Sequence, residues 1–213
     1  MSSVDDYQLR EQLCHYGHSL FSRGYSSGGS GNISVRLPDG GFLITPTNSC
    51  LGELQAESLS RLDANGVHIA GEKPSKEVPM HLAWYRQQPD CGAVVHLHSP
   101  WLTALSCLPC ATPENCLPPL TPYYVMRIGQ LPLLPYFRPG VEEIATALGE
   151  IAPHRIAALL ANHGPVVSGR TLREAVFNIE ELEDSARIWL TLKPLGYVPL
   201  SPAAVAELEQ SRG

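Results

Sequence analysis

Two histidines one residue apart, His96 and His98, end an apolar segment of the chain. Successive side chains of a β-strand point to opposite faces, so we expect both imidazoles on one face and Leu97 on the other. Two imidazoles on one strand face can share a metal ion, and an apolar strand seldom ends in two such groups unless something satisfies them. The pattern predicts a metal site, and a coincidental His-x-His pair is the alternative.

A third ligand is needed, because catalytic zinc sites commonly have three protein ligands and one open position. His163 is the best candidate, since it follows an apolar run at 156–161 that has the pattern of a buried strand. Both groups are then expected at strand ends, where α/β proteins place ligand sites. His81 is interpreted as a polar helix residue. The other histidines are expected on the first helix, in a hairpin and in a loop: His15, His18, His68 and His154.

Three short segments are candidates for binding an anion. The glycine loop at 28–32 has small residues that let backbone N–H groups, and its Ser and Asn side chains, approach a negative group. Ser75 and Lys76 begin a predicted helix, where free N–H groups and the helix dipole favour negative charge. The third segment is Thr-Pro-Thr-Asn at 45–48. Each signal is weak alone, and a flexible turn is the alternative for the glycine loop.

Composition excludes several classes of protein. The net charge of −6 argues against a nucleic-acid groove, which needs clustered Lys and Arg. No apolar run approaches the roughly 20 residues that span a bilayer, so we expect no membrane partner. The N-terminus is acidic and polar, unlike a secretory signal, which places the chain in the cytoplasm. With 213 residues and no visible linker, one domain over 1–213 is expected.

Six cysteines are expected to be reduced in that compartment. Cys107, Cys110 and Cys116 lie close together in the sequence, but a zinc site there would lack a fourth ligand and a second Cys-x-x-Cys. Buried or loop thiols are the better interpretation, and the role of the cluster stays open.

Strand and helix patterns alternate along the chain and predict one α/β domain. Hairpins near the N-terminus argue against a purely parallel sheet, so we expect a mixed or antiparallel sheet covered by helices. The predicted strands are 33–36, 42–45, 58–62, 67–70, 93–98, 131–134 and 156–161. The predicted helices are one ended by Gly24 and those at 75–87, 100–105, 141–151, 171–192 and 202–210, with an irregular loop at 109–122.

Five motifs, in order, resemble the class II aldolase/adducin family: 29–34, 44–47, 73–77, 94–98 and 161–164. The resemblance implies a single domain with helices on both faces of the sheet. It also implies one divalent metal ion per chain, bound by His96, His98 and His163, and zinc is favoured although three imidazoles also suit Mn²⁺ or Co²⁺.

The same resemblance implies roles for the other motif residues. Glu77 would be the acid/base, although a Glu in a first helical turn also has a purely structural explanation. The phosphate-binding positions of the family correspond to Asn32, Thr47, Ser75 and Lys76. Lys76 stands where the aldolases have a second Ser, which adds a positive charge.

Further segments resemble most closely the branch of 3-oxo-tetronate 4-phosphate decarboxylases. Such a β-keto acid would lose CO₂ to leave a metal-stabilised enediolate, and protonation would give dihydroxyacetone phosphate. A class II sugar-phosphate aldolase, fuculose-phosphate aldolase-like, or an epimerase is the alternative, since the aldolase forms the same enediolate. A non-catalytic adducin-like binding domain is a more distant one. The resemblance implies a phosphorylated sugar-acid substrate and a homotetramer.

Overall fold

The computed structural model describes residues 3–110 and 112–210, with side chains described from residue 6 onward. Within this part of the chain, eight strands form one sheet. In chain order they are β1 (Asn32–Arg36), β2 (Phe42–Ile44), β3 (Ser60–Leu62), β4 (His68–Ala70), β5 (Ala93–His96), β6 (Leu133–Leu134), β7 (Ala157–Leu160) and β8 (Gly164–Gly169).

The sheet is mixed and mostly antiparallel. Its spatial order is β4-β3-β2-β1-β5-β8-β7-β6. β6 and β7 pair in parallel, and the other neighbours pair antiparallel. This order places β5, which ends at His96, in the middle of the sheet between β1 and β8.

Helices cover both faces of the sheet. They are α1 (Ser3–Ser22), α2 (Val78–Gln87), α3 (Pro100–Ser106), α4 (Pro122–Arg127), α5 (Glu142–Ile151), α6 (Leu172–Leu192) and α7 (Pro202–Gln210). One core joins α1, α3, α4 and α6 to the sheet face that carries Val95, and α7 packs at its edge. A second core joins α2 and α5 to the opposite face, which carries Val94. The predicted α/β fold with helices on both faces is confirmed.

One central strand was not predicted. β8 begins Gly164-Pro165 and ends at Gly169, and these are local signals of turns rather than of a strand interior. It nevertheless pairs with β5 on one side and β7 on the other. His163 therefore lies in the tight turn of the β7–β8 hairpin.

One short helix was also not predicted, and the start of another differs from the prediction. The segment at 109–122 was expected to be an irregular loop, and residue 111 of it lies outside the described residues. Its last residue, Pro122, opens α4, where the Thr121 side chain accepts a hydrogen bond from the Tyr124 N–H. Proline at the first helical position after a Thr cap is a helix start signal. α2 begins at Val78 rather than at Ser75, so Glu77 caps the helix.

Candidate active site

His96 is the last residue of β5 and is fully buried. Leu97, the next residue, packs into the core on the opposite face, as strand alternation requires. The His96 Nδ1 lies 2.8 Å from the carbonyl oxygen of Pro165 on β8. Since a carbonyl only accepts, Nδ1 carries the proton and donates it there. The other nitrogen, Nε2, is left with a free lone pair.

His98 and His163 meet His96 at the end of β5. The turn that carries His163 packs closely against this segment. A Cβ on Gly164 would lie only 2.4 Å from the Leu97 carbonyl oxygen, so only glycine fits there. The ring centroids are 5.1 Å apart for His96 and His98, 4.7 Å for His96 and His163, and 4.9 Å for His98 and His163. His163 is buried and His98 is exposed at the mouth of the group. The structure thus brings the three predicted histidines together.

Glu77 faces this histidine group from the start of α2. Its Oε1 lies 3.4 Å from the His163 Nε2, and its Oε2 lies 3.6 Å from the His96 Nε2. Oε2 also accepts a hydrogen bond of 2.7 Å from the Asn32 Nδ2. Burial would raise the pKa of Glu77, but electrostatic attraction by the nearby His96 and the hydrogen bond from Asn32 outweigh it and lower that pKa to about 2. The carboxyl group is therefore ionised at neutral pH.

The histidine group fits a divalent metal ion. One ligand nitrogen of each ring lies within 4.8 Å of the others, the sole such group of three or more His, Cys, Asp or Glu among residues 3–110 and 112–210. Burial lowers the pKa of His163 to about 4, which keeps its ring neutral, the form that binds metals. Buried atoms without a hydrogen-bond partner include Nε2 of His96, both ring nitrogens of His163 and Oε1 of Glu77. Because buried polar atoms normally have partners, their convergence indicates a place for a cation.

Three of the four predicted phosphate residues lie on two adjacent segments. Pro46 and Pro74 form an isolated β-bridge, and the Thr47 N–H donates to the Lys73 carbonyl at 2.9 Å. Thr47 and Ser75 therefore lie on paired segments. Of the three, Thr47 is half-buried, Lys76 is exposed, and Ser75 is buried with its Oγ accepting from the Glu77 N–H.

The fourth predicted phosphate-binding residue, Asn32, is buried beneath the other three. It is 5% exposed, its Nδ2 is bound to Glu77, and its Oδ1 lies 2.5 Å from the His81 Nε2. The preceding glycine is required here, since Gly31 has φ 82° and a Cβ on it would lie 2.9 Å from the His96 carbonyl oxygen. The glycine loop is therefore pressed onto the end of β5 and delivers Asn32 to Glu77.

Sequence reasoning missed the surroundings of His81. It was interpreted as a polar helix residue, but it is 1% exposed and faces β1. The signal was available in the spacing of four that puts Glu77, His81 and Tyr85 on one helix face. It also missed Glu183, whose buried carboxylate accepts a hydrogen bond of 2.6 Å from Ser99, directly after His98.

The cysteine cluster holds no disulfide. Cys107 is exposed, Cys110 is half-buried and Cys116 is buried, and all three are free thiols. The Cys116 Sγ donates to the Leu131 carbonyl at 3.1 Å. This agrees with the interpretation as loop and buried thiols.

Comparison with known proteins identifies the family. Residues 11–190 match the family described as class II aldolase and adducin N-terminal domain. The chain belongs to this family. It is 51% identical to the 3-oxo-tetronate 4-phosphate decarboxylase of Escherichia coli over 205 residues, which are 95% of this chain and 96% of that protein.

Solved structures of the family have the same fold. The crystal structure of YgbL from Klebsiella pneumoniae superimposes with a TM-score of 0.93 at 54% identity, covering 98% of this chain and 99% of that one. An L-fuculose 1-phosphate aldolase superimposes with a TM-score of 0.84 at 29% identity, covering 99% and 97%. The resemblance found from the motifs is confirmed.

Decarboxylases and aldolases both cleave carbon–carbon bonds, which bears out the prediction that the chain is a lyase. Among the described residues, no helix is long and apolar enough to cross a membrane.

Proposed function

We propose that this chain decarboxylates a 3-oxo-tetronate 4-phosphate to dihydroxyacetone phosphate and CO₂. The observation that carries the proposal is the placement of Glu77, whose free Oε1 lies 3.4 Å from the His163 Nε2 beside two further imidazoles. This puts a proton-transfer group next to a place for a cation. The decarboxylase name of the relative that is 51% identical supports the choice of substrate.

His96, His98 and His163 hold one divalent ion in this proposal, and Zn²⁺ is the ion we favour. The unpaired ring nitrogens of His96 and His163, and the neutral rings that burial gives His98 and His163, suit zinc. When bound, such an ion supplies a positive charge that stabilises the negative charge left on the substrate oxygens after bond cleavage. The Pro165 carbonyl assists by holding the His96 ring in the tautomer that presents Nε2.

Glu77 transfers the proton in this reaction. When the bond between C1 and C2 breaks, its electron pair stays on the C2–C3 unit as an enediolate and C1 departs as CO₂. C2 must then gain one proton, and Glu77 delivers it from Oε1. Because the pKa of Glu77 is lowered to about 2, the carboxylate must first take this proton from solvent.

Thr47, Ser75 and Lys76 bind the substrate phosphate in this proposal, and Asn32 lies beneath them against Glu77. The three residues stand on paired segments at the start of α2, where backbone N–H groups favour an anion. The exposed ammonium of Lys76 adds a positive charge to that place.

Aldol cleavage of a ketose phosphate is the second candidate. It is favoured by the likeness to an L-fuculose 1-phosphate aldolase along nearly the whole chain. The same residues would act, because loss of an aldehyde leaves the same enediolate as loss of CO₂. A binding protein without activity is a third possibility, and the intact histidine group with Glu77 argues against it.

The decisive experiment uses both substrates side by side. The purified chain is incubated with synthetic 3-oxo-tetronate 4-phosphate of each configuration, and CO₂ and dihydroxyacetone phosphate are measured. L-fuculose 1-phosphate is tested in parallel, and a sample treated with chelator serves as the control. We expect one equivalent of each product from one of the tetronates and none after chelation. Faster cleavage of the ketose phosphate would transfer the proposal to the aldolase, and no turnover of either would refute both.

Three further features are proposed, of which the homotetramer rests on the resemblance. They are a homotetramer, a location in the cytoplasm, and one domain over residues 1–213, of which 1, 2, 111 and 211–213 lie outside the described residues. Light scattering of the purified protein tests the tetramer directly.

A further inference from the structure

A row of buried polar side chains lies between β1 and α2. Asn32 and Ser34 are two residues apart on β1 and share a face, while Glu77, His81 and Tyr85 are four apart and share the facing side of α2. Each is at most 6% exposed. Hydrogen bonds link them in the order Glu77, Asn32, His81, Ser34, Tyr85, with lengths between 2.5 and 2.8 Å. We call these five residues the polar row.

The donor and the acceptor of each hydrogen bond in the polar row can be assigned by starting from Glu77. An ionised carboxylate only accepts, so the atom of Asn32 that lies 2.7 Å from the Glu77 Oε2 must be the amide nitrogen. The amide oxygen of Asn32 therefore faces His81. That oxygen also only accepts, so the His81 Nε2, 2.5 Å away, must carry a proton.

Ser34 and Tyr85 form the part of the polar row that faces the other ring nitrogen of His81, Nδ1. Burial lowers the pKa of His81 to about 3, so the ring is neutral and has one proton, which is on Nε2. Nδ1 then accepts from the Ser34 hydroxyl at 2.7 Å. Ser34 has given its only proton, so it accepts from the Tyr85 hydroxyl at 2.8 Å. All four hydrogen bonds of the polar row are thus satisfied when His81 carries its proton on Nε2.

This row determines which oxygen of Glu77 is free to react. Asn32 occupies Oε2, whereas Oε1 has no partner and faces His163. An Asn amide can turn by half a rotation at little cost in shape, and a turned Asn32 would set its oxygen against the carboxylate. The N–H of His81 prevents this, because it would then face the amide N–H₂ group.

We propose that His81 is a positioning residue, which holds the Asn32 amide so that Glu77 is anchored by Oε2 and transfers its proton through Oε1. The inference rests on the proposed role of Glu77. It adds a residue that touches neither the substrate nor the histidine group, and it assigns different tasks to the two carboxylate oxygens.

The first test compares two replacements of His81. His81→Phe fills the space but removes the N–H, and we expect kcat to fall about 10-fold or more, because a misplaced catalytic group is inefficient even when present. KM and metal content should stay near the wild-type values. His81→Gln offers an amide N–H toward Asn32, and we expect it to recover a large part of the lost kcat. Leu82→Ala, on the same helix but outside the polar row, should destabilise the fold without lowering kcat.

A folded His81→Phe variant with a kcat within about 2-fold of the wild type would overturn the inference. So would a Gln variant that is no better than the Phe variant. If the Phe variant does not fold, Ser34→Ala replaces it. That change deletes only the hydroxyl that binds the Nδ1 of His81, and we expect a smaller fall in kcat, whereas an unchanged kcat would contradict the role of the row.

A measurement without substrate separates this inference from the proposed function. The ¹⁵N NMR shifts of His81 report which ring nitrogen carries the proton, and we expect Nε2–H in the wild type. A proton on Nδ1 in the wild type would defeat the inference whatever the protein catalyses. A wild type that cleaves neither substrate would defeat the proposed function and leave the NMR test decisive for the polar row.

Discussion

Two carboxylates of this protein are buried to the same extent and are used differently. Glu77 is 6% exposed and Glu183 is 5% exposed. The Glu183 Oε2 accepts from the Ser99 hydroxyl at 2.6 Å and from the Leu102 N–H at 2.9 Å, and its Oε1 accepts from the Trp101 N–H at 2.7 Å. Glu77 has one hydrogen-bonded oxygen and one without a partner.

The difference separates a structural from a reactive carboxylate. Glu183 on α6 binds the free N–H groups that begin α3, and it fixes the chain directly after His98. Both of its oxygens are committed to the fold. The Glu77 Oε1 is committed to nothing in the protein, so it is available to a ligand or a proton. Burial alone would not have told these two residues apart.

The largest expected effect is that of replacing the three histidines that the free Oε1 of Glu77 faces. We expect about one divalent ion per chain in the wild type and loss of that ion, with loss of turnover, in His96→Ala, His98→Ala and His163→Ala. Elemental analysis after gel filtration measures it. The matched control is His154→Ala, an exposed histidine away from the group. Full metal retention in all three variants would show that the free oxygen of Glu77 has another explanation.

Glu77→Gln comes next. It keeps the size and the contact with Asn32 but cannot transfer a proton, so we expect kcat to fall by about 100-fold or more while metal content is kept. Stopped-time assays of dihydroxyacetone phosphate measure the rate, and Glu72→Gln, an exposed glutamate five positions earlier, is the control. A near-normal rate would move the proton transfer to another residue and remove the contrast with Glu183.

We expect the buried histidines near Glu77, rather than the surroundings of Glu183, to determine how the free energy of unfolding depends on pH. The folded-state pKa values of His81 and His163, about 3 and about 4, are below the usual 6.5, so the unfolded chain takes up protons first as the pH falls. The free energy of unfolding should therefore decrease below about pH 6.5, by at most about 1.4 kcal/mol per pH unit for each histidine. The contribution of Glu77 would be lost as the pH falls from about 4.5 toward 2.

Urea unfolding with chelator present, between pH 7 and 4.5, measures this dependence. His163→Ala should make it shallower by about one proton. An identical slope in the variant would mean that the buried imidazoles do not set the acid sensitivity.

Glu183→Gln tests the structural member of the pair. Its amide N–H₂ group would oppose donors that now point at an oxygen, so we expect the free energy of unfolding to fall by about 1–3 kcal/mol. The loss of kcat should be smaller than for Glu77→Gln. Urea denaturation gives the stability, with the exposed Glu143→Gln as control. If Glu183→Gln lowered kcat as much as Glu77→Gln without a loss of stability, the two carboxylates would not differ as described.

The smallest expected effect is that of Lys76→Ser, next to Glu77. Because Lys76 is exposed, its attraction for a phosphate is worth at most about 1 kcal/mol, so KM should rise about 5-fold or less with kcat unchanged. A rise in kcat would instead indicate that Lys76 holds the carboxylate that leaves. Lys73→Ser is the matched control, and unchanged constants for both substrates would make Lys76 a solvated surface residue.

Local pattern accounts for most of the fold. The alternation at 94–98 and the apolar run at 156–161 predicted two strands and the meeting of their histidines, because those signals depend on neighbours in sequence. β8 was missed because Gly and Pro at its start indicate turns, and only pairing with β5 and β7 makes a strand of 164–169. α4 was missed although Thr121 and Pro122 are a helix start signal, because the segment before it is rich in proline.

The sequence by itself determined which residue types could act here: three imidazoles, one carboxylate and a few anion-binding side chains in a fixed order. The tertiary structure decided how each atom is used. Asn32 lies 45 residues from Glu77 and Glu183 lies 84 from Ser99, so no local rule relates them. Hydrogen bonds act over about 3 Å, and only the packing of α2 on β1 and of α6 on α3 brings those partners within reach. That packing left one oxygen of Glu77 free and neither oxygen of Glu183.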